Sequence, residues 1–358
     1  MKLKKLIGMT VVLVLLIGTG IWQHRGLETR ISASTAGDTT LLQGVNLNAI
    51  TQLDITQTSN HVALVKTEGQ WVVDSLYGYP ADFNKLATAL RKMADVKTGN
   101  PVRAGNVAVS EFGLDENAKT IALKDATSIT VGARREASSS AGWANQFFVR
   151  KNDHEDVYLV DYDFRPFSEK SANWISKELL RVPSADIMSA QSGAVRLKQD
   201  GAKWILVDLN QVTEELQSSE ANKMRSALQS LSCVTLADPN ADFGDPQTYS
   251  AQTKDGFTYT ITLGKKTEAG PLARIACEYT RPAPPVEPMN SDDAAQQEAY
   301  GKELDAFNNT TAANADKADK LNAKLSKWTY IISLSAADNL IISRDKLVKP
   351  KKTIEKNP

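Results

Sequence analysis

Histidine and cysteine are scarce in this chain: three of the one and two of the other in 358 residues. His24, His61 and His154 are widely spaced. Cys233 and Cys277 form no C-x-x-C and have no histidine beside them, so the spacing of a zinc site is missing. An excess of either charge is missing too, since 42 basic residues balance 42 acidic ones. Without a basic surplus to neutralise phosphates, nucleic acid is not the expected partner. The sequence also holds no G-x-S-x-G elbow, no H-E-x-x-H and no Walker loop. No catalytic residue, metal ligand or cofactor site is therefore assigned. Asp115 and Asp245 are the least ordinary carboxylates for paired-acid chemistry, but each follows a Phe-Gly turn, where aspartate is favoured for local hydrogen bonding. The run Asn152-Asp153-His154-Glu155-Asp156 reads as a solvated turn between strands rather than a metal site. Cys233, at the end of an expected helix, and Cys277, in an expected strand, are either one bridge between layers or two buried thiols.

Charge is absent altogether from Leu6 to Trp22, behind three lysines in the first five residues. That run sits at the short end of a bilayer span, and the lysines place it with everything after His24 across the membrane. Small residues suited to signal cleavage are weak at Gly18-Thr19-Gly20 and too distant at Ser32-Ala33-Ser34. The expectation is a single-pass anchor in a bacterial inner membrane, with the bulk of the chain periplasmic.

What the chain does have is a repeat. Trp71, Phe112-Gly113 and Gly132 are matched by Trp204, Phe243-Gly244 and Gly264, at offsets of 133, 131 and 132 residues. Three landmarks in one register predict an internal duplication. The fold class expected is α+β: two tandem units, each an antiparallel sheet with a covering helix, behind one transmembrane helix. The segments are an anchor over 1–27, a Ser/Thr-rich tether over 28–44, the first unit over 45–182, the second over 183–346 and a flexible tail over 347–358.

Alternation and β-branching predict strands at Ile50 to Thr56, His61 to Thr67, Gln70 to Asp74, Thr120 to Lys124, Ser128 to Gly132, Gln146 to Arg150 and Val157 to Asp161. Pro80 opens a helix whose face is Phe83, Leu86, Leu90 and Met93. A linking helix is expected from Phe164 to Leu180, burying Phe167, Trp174 and Ile175. In the second copy, strands are expected at Ala194 to Lys198, Lys203 to Val207, Phe257 to Leu263, Leu272 to Tyr279 and Trp328 to Leu334. The helix, Ser219 to Leu231, carries Met224, Leu228 and Leu231 on its face.

One segment breaks the repeat. Pro282 to Lys327 reads as a stiff Pro-rich piece and then a helical hairpin, capped by Ser291-Asp292-Asp293 and interrupted at Asn308-Asn309-Thr310-Thr311. Tyr300, Leu304 and Phe307 form one apolar face and Leu321 and Leu325 another. Because the fold does not require this insert, those five residues are the candidate partner-binding set.

Trp71, Pro80, Phe112-Gly113-Leu114-Asp115, Val131-Gly132 and Tyr158-Leu159-Val160 form a pattern that covers about residues 50 to 180 well. In it the chain resembles the domain of unknown function 4340 family. Members are often encoded beside ABC-type transporters related to gliding-motility systems, and none of the pattern residues is catalytic. The resemblance implies a non-enzymatic extracytoplasmic accessory subunit of such a membrane assembly. The rival readings are an envelope glycan hydrolase and a periplasmic module binding lipid or glycan.

Overall fold

A computed structural model describes residues 39–102, 108–135, 145–152, 154–288 and 294–351. The expected membrane span and most of the tether lie outside the described residues, as do the cap Ser291-Asp292-Asp293 and Asp153. Among the described residues no helix is long and apolar enough to cross a membrane. The fold is α+β with antiparallel sheets, in two compact units, Met1–Ile175 and Ser176–Pro358.

In the first unit β1 (Gln52–Gln57), β2 (Asn60–Thr67), β3 (Gln70–Val73) and β4 (Tyr79–Pro80) lead into helix α1 (Phe83–Ala94). Then follow β5 (Lys119–Leu123), β6 (Thr127–Arg134), β7 (Gln146–Lys151) and β8 (Val157–Asp161). They make one eight-stranded sheet in the order β4-β3-β2-β1-β5-β6-β7-β8. Side-chain alternation drives it: Leu53 and Ile55, Ile121 and Leu123, and Ile129 and Val131 all turn to one buried face. Pro80 does not open the helix but closes β4. Asp82 is the N-cap, its carboxylate accepting from Lys85 N at 3.1 Å. Phe83, the first helical residue, is consequently exposed, while Leu86, Leu90 and Met93 are buried as expected.

The linking helix is absent. Phe164 to Leu180 is irregular, with a 3-10 turn at Ser171–Asn173 and strand β9 (Glu178–Leu180). Phe167, Trp174 and Ile175 are nevertheless buried, and the Trp174 indole donates to Ser168 O at 2.7 Å. Burial of aromatics reads alike in helix and loop, so the helical period was coincidental.

The second unit has β10 (Ile187–Ser192), β11 (Val195–Asp200), β12 (Lys203–Leu206), β13 (Glu214–Leu216), helix α2 (Ser218–Ser226), β14 (Leu231–Ala237), β15 (Gln247–Thr253), β16 (Phe257–Thr267) and β17 (Gly270–Tyr279). Helix α3 (Ala294–Leu325), β18 (Thr329–Ile332), α4 (Leu334–Leu340), α5 (Arg344–Leu347) and β19 (Val348–Pro350) complete it. The nine-stranded sheet runs β12-β11-β10-β15-β16-β17-β18-β14-β9. Its first seven strands follow the same order as β3-β2-β1-β5-β6-β7-β8. Helix α2 is shorter than expected: Leu228 is buried just past its end and Leu231 opens β14.

Two further expectations change. Cys233 lies in β14 rather than at a helix end, and of the two readings of the cysteines the structure has the two buried thiols, both free. With β18 between them, Cys233 opposite Ile332 and Leu272 opposite Ile331, they stand roughly 20 Å apart, far beyond the 7 Å reach of a bridge. The tail is also not free from its start. Leu347 is buried, and Val348–Pro350 pair with Glu214–Leu216. Arg344 fastens this return, its guanidinium meeting Glu214 at 2.7 Å and Asp208 at 3.0 Å. The hydrogen bond from Arg344, helped by Asn210 N, pulls the Glu214 carboxyl down to about 2. Residues 352–358 lie outside the described residues.

Candidate interaction surface

The repeated landmarks come first, because they shape the sheets that carry everything else. Gly132 sits in β6 directly beneath the Phe112-Gly113 turn. A Cβ there would lie 2.3 Å from the Phe112 carbonyl oxygen and 2.9 Å from Leu114 Cγ. Gly264 in β16 lies beneath Phe243, whose ring would be 2.4 Å from the same added atom. Gly113 and Gly244 both take positive φ, 65° and 60°, which lets each turn fold back onto its strand. At each strand glycine the ladder shifts register, between Val131 and Arg134 and between Leu263 and Lys266. A fourth correspondence was not read from the sequence: Thr130 pairs with Arg150 as Thr262 pairs with Arg274. The rings differ in company. Phe112 packs on Phe148 at 4.9 Å, whereas Phe243 lies under the Arg274 guanidinium at 4.3 Å.

Trp71 is buried, but Trp204 is only half-buried, with the Arg225 guanidinium 5.7 Å from its ring centroid. Asp115 and Asp245 are both exposed. Asp115 accepts from Asn117 N at 2.9 Å, and in the second unit Asp242, not Asp245, holds the turn by accepting from Gly244 N. Asn152 likewise organises its hairpin, its side-chain oxygen accepting from Ser128 N at 2.8 Å. Among the described residues no group of three or more His, Cys, Asp or Glu is placed to hold a metal.

The insert is the departure from symmetry, and it is not a hairpin. One helix of 32 residues, α3, runs straight through Asn308-Asn309-Thr310-Thr311. Tertiary contacts hold that stretch: Arg281 donates to Asn308 Oδ1 at 2.7 Å and stacks on Phe307, and Thr311 is buried. The two expected faces therefore merge into one stripe. Tyr300, Leu304, Phe307, Thr311, Ala318, Leu321 and Leu325 fall at alternating three- and four-residue steps or their multiples. Leu325 is fully buried, Leu321 half-buried, and Tyr300, Leu304 and Phe307 half-buried toward the helix's first turns.

The stripe's C-terminal half lies on the β16–β17 ladder. Lys317 stands over the Phe257 ring at 5.0 Å, and Phe257 packs in turn on Tyr259 and Tyr279. Asn322 turns its amide to the backbone of Cys277, accepting from N at 2.9 Å and donating to O at 2.6 Å. Burial drives the Cys277 thiol up to about 11, against a smaller opposite pull from Lys317. A polar asparagine beside an apolar stripe gave no signal in the sequence, because its partner is a strand edge 45 residues away.

A separate cleft of about 670 Å³ lies between the β10–β11 turn, the start of β15 and the segment joining α4 to α5. Gln191, Ser192, Gln247, Thr248 and Ser343 give it hydroxyls and amides, and Lys346 gives it one cation.

Residues 71–254, just over half the chain, match the family described as Domain of unknown function (DUF4340). The chain belongs to that family. No curated protein and no solved structure matches it.

Proposed function

We propose that the chain is a non-enzymatic extracytoplasmic accessory subunit of a membrane assembly of the ABC-transport type, and that helix α3 is its contact with that assembly. Two units with one strand order are read as copies of an ancestral unit, held to the bilayer by the charge-free run Leu6 to Trp22. The observation that carries the reading is that α3 belongs to only one of the copies. It presents Tyr300, Leu304 and Phe307 on a continuous stripe, beyond the buried positions Thr311, Ala318 and Leu325. A sheet that needs no helix there, and has one of 32 residues, has an element available for a partner.

The test is deletion, and the register says where to cut. Tyr330 pairs with Ala273, so Trp328 stands opposite Ile275. Arg281 is six residues further on, roughly 20 Å away at about 3.4 Å per residue. A short Gly-Ser link in place of residues 282–327 would therefore strain the sheet, against the simple expectation that the strand ends lie close. Replacing Ala276 to Lys327 by the first unit's turn, Asn-Asp-His-Glu, keeps the β17–β18 pairing. That variant should fold, reach the membrane and lose co-purification with the assembly. Unchanged co-purification would reduce α3 to decoration. A periplasm-specific reporter fused after Pro358 should be active, and activity of a cytoplasm-specific one would reverse the orientation.

A second reading, a glycan-binding module, has one observation in its favour. The cleft is of ligand size and sets hydroxyls and amides beside the apolar Val195, Pro246, Ile341 and Ile342, a mixed lining that suits the polar rim and apolar face of a sugar ring. Titration with soluble glycan fragments should then perturb Gln191 and Thr248 amides by NMR, and silence there would remove that reading.

A further inference from the structure

In the first unit β7 and β8 end together in a short polar turn. In the second, β17 runs on past Ala273, the last of its residues paired with β18, as far as Tyr279. Strand β16 lengthens with it, pairing back to Phe257. The sheet thus has an overhang whose outer edge no strand covers among the described residues, the kind of edge that recruits other chains. Helix α3 lies there instead. Asn322 supplies from one side chain the acceptor and the donor that a neighbouring strand would supply from its backbone.

The fastening is slight for so long a helix. Of its 32 residues only Thr311, Ala318 and Leu325 are buried, and two of those are small. Helix α1 buries Leu86, Ala89, Leu90 and Met93 within 12 residues. Segments with few buried apolar groups open locally at lower cost than the sheet they rest on. Nothing in the sheet order β12-β11-β10-β15-β16-β17-β18-β14 passes through α3, so its departure breaks no ladder.

We propose that α3 is a detachable strap: it lifts from β16 and β17 while the sheet stays paired, baring the β17 edge and the thiol of Cys277. The equilibrium belongs to the free chain and holds whatever partner the chain has. Cys277 reports it, because it is buried beside the Asn322 clasp with Lys317 close enough to pull on its thiol. Cys233 is the internal control. It is equally buried, but in β14 between β18 and β9, away from α3.

The experiment is native-state labelling of the full chain with a maleimide, followed at each cysteine by mass spectrometry. Cys277 should react at least tenfold faster than Cys233. Asn322→Ala should speed Cys277 a further tenfold and leave Cys233 unchanged. A single rate shared by both cysteines, or a variant that accelerates both alike, would overturn the strap. Hydrogen exchange on the unmutated chain decides the matter without any variant. The α3 amides should exchange as a group ahead of β16, and exchange in step with β16 would equally overturn it.

Discussion

Replacing Gly132 and Gly264 by alanine asks the same question of both units and should receive different answers. At Gly132 the added methyl would meet the Phe112 carbonyl oxygen at 2.3 Å, and Leu114 Cγ and Cδ2 at 2.9 and 3.0 Å. A carbonyl is backbone, and its turn is pinned by the bond from Gly113 N to Ser110 O and by the positive φ of Gly113. Relief requires moving the turn, which is buried with Phe112, Leu114 and Val157 in one cluster. That places Gly132→Ala at the upper end of overpacking costs, about 3 kcal/mol. At Gly264 the nearest atoms are Phe243 Cδ1 and Cγ, at 2.4 and 2.7 Å. This ring is half-buried, with one face under Arg274, so it can swing outward. The cost falls to about 1–2 kcal/mol.

The decisive measurement is a pair of double-mutant cycles in urea. Hydrogen exchange serves as the probe, so that each unit is followed by its own amides. Phe243→Ala should remove most of the Gly264→Ala penalty, a coupling of about 1 kcal/mol. Phe112→Ala should rescue little of Gly132→Ala, because the clash is with an oxygen the substitution leaves in place. Equal rescue in the two units, or a neutral Gly132→Ala, would refute the reasoning.

Truncating Trp71 to alanine should cost about 3–5 kcal/mol, as for a buried aromatic, whereas Trp204→Ala should cost nearer 2, since its ring is half-open and braced by Arg225. Urea melts of the two variants give the difference, and equal losses would argue against the unequal burial. The Glu214 carboxyl is lowered, so the stability it lends is present above its ordinary value of 4.5 and is lost as pH falls toward about 2. The protection of β19 amides, corrected for intrinsic exchange, should therefore fall across that window, and Arg344→Met should weaken the pH dependence, leaving the part due to Asn210 N. In buffer without reductant the chain should carry no internal bridge, since Cys233 and Cys277 are too far apart to pair; an intact mass two daltons low would contradict the register.

Much of the first sheet was legible because its strands alternate cleanly, as at Leu53 and Ile55 or Ile129 and Val131. β15 was not, since its buried face is Tyr249, Ala251 and Thr253 and its other face is polar, which resembles a loop. β10 hid for the same reason, with Ala190 and Ser192 as inward residues. The landmark glycines were legible as a pattern, while their cause, a Phe-Gly turn pressed on a strand about 20 residues away, leaves no local mark in the sequence. The insert was located in the sequence but misread as a hairpin. Asn308-Asn309-Thr310-Thr311 is a poor helical run on its own, and the contacts that hold it, Arg281 on Phe307 and Asn308, come from a residue just past the end of β17. Of the candidate set, Leu325 is core, Leu321 is half-buried toward the sheet, and Tyr300, Leu304 and Phe307 keep part of their surface.

The order of strands has a consequence for the nascent chain. All eight strands of the first sheet, and the Trp174 that packs on them, have left the ribosome by Ile175, so that unit can close as soon as it emerges. The second cannot. Strand β14 is made early but waits for β18, 92 residues after its last residue, before it can join the rest of the sheet. Even then the return of Val348–Pro350 to β13 is missing until α4 and α5 have been made as well. Synthesis therefore yields a finished first unit trailing an unfinished second, whose half-built sheet is the part that chaperones must protect.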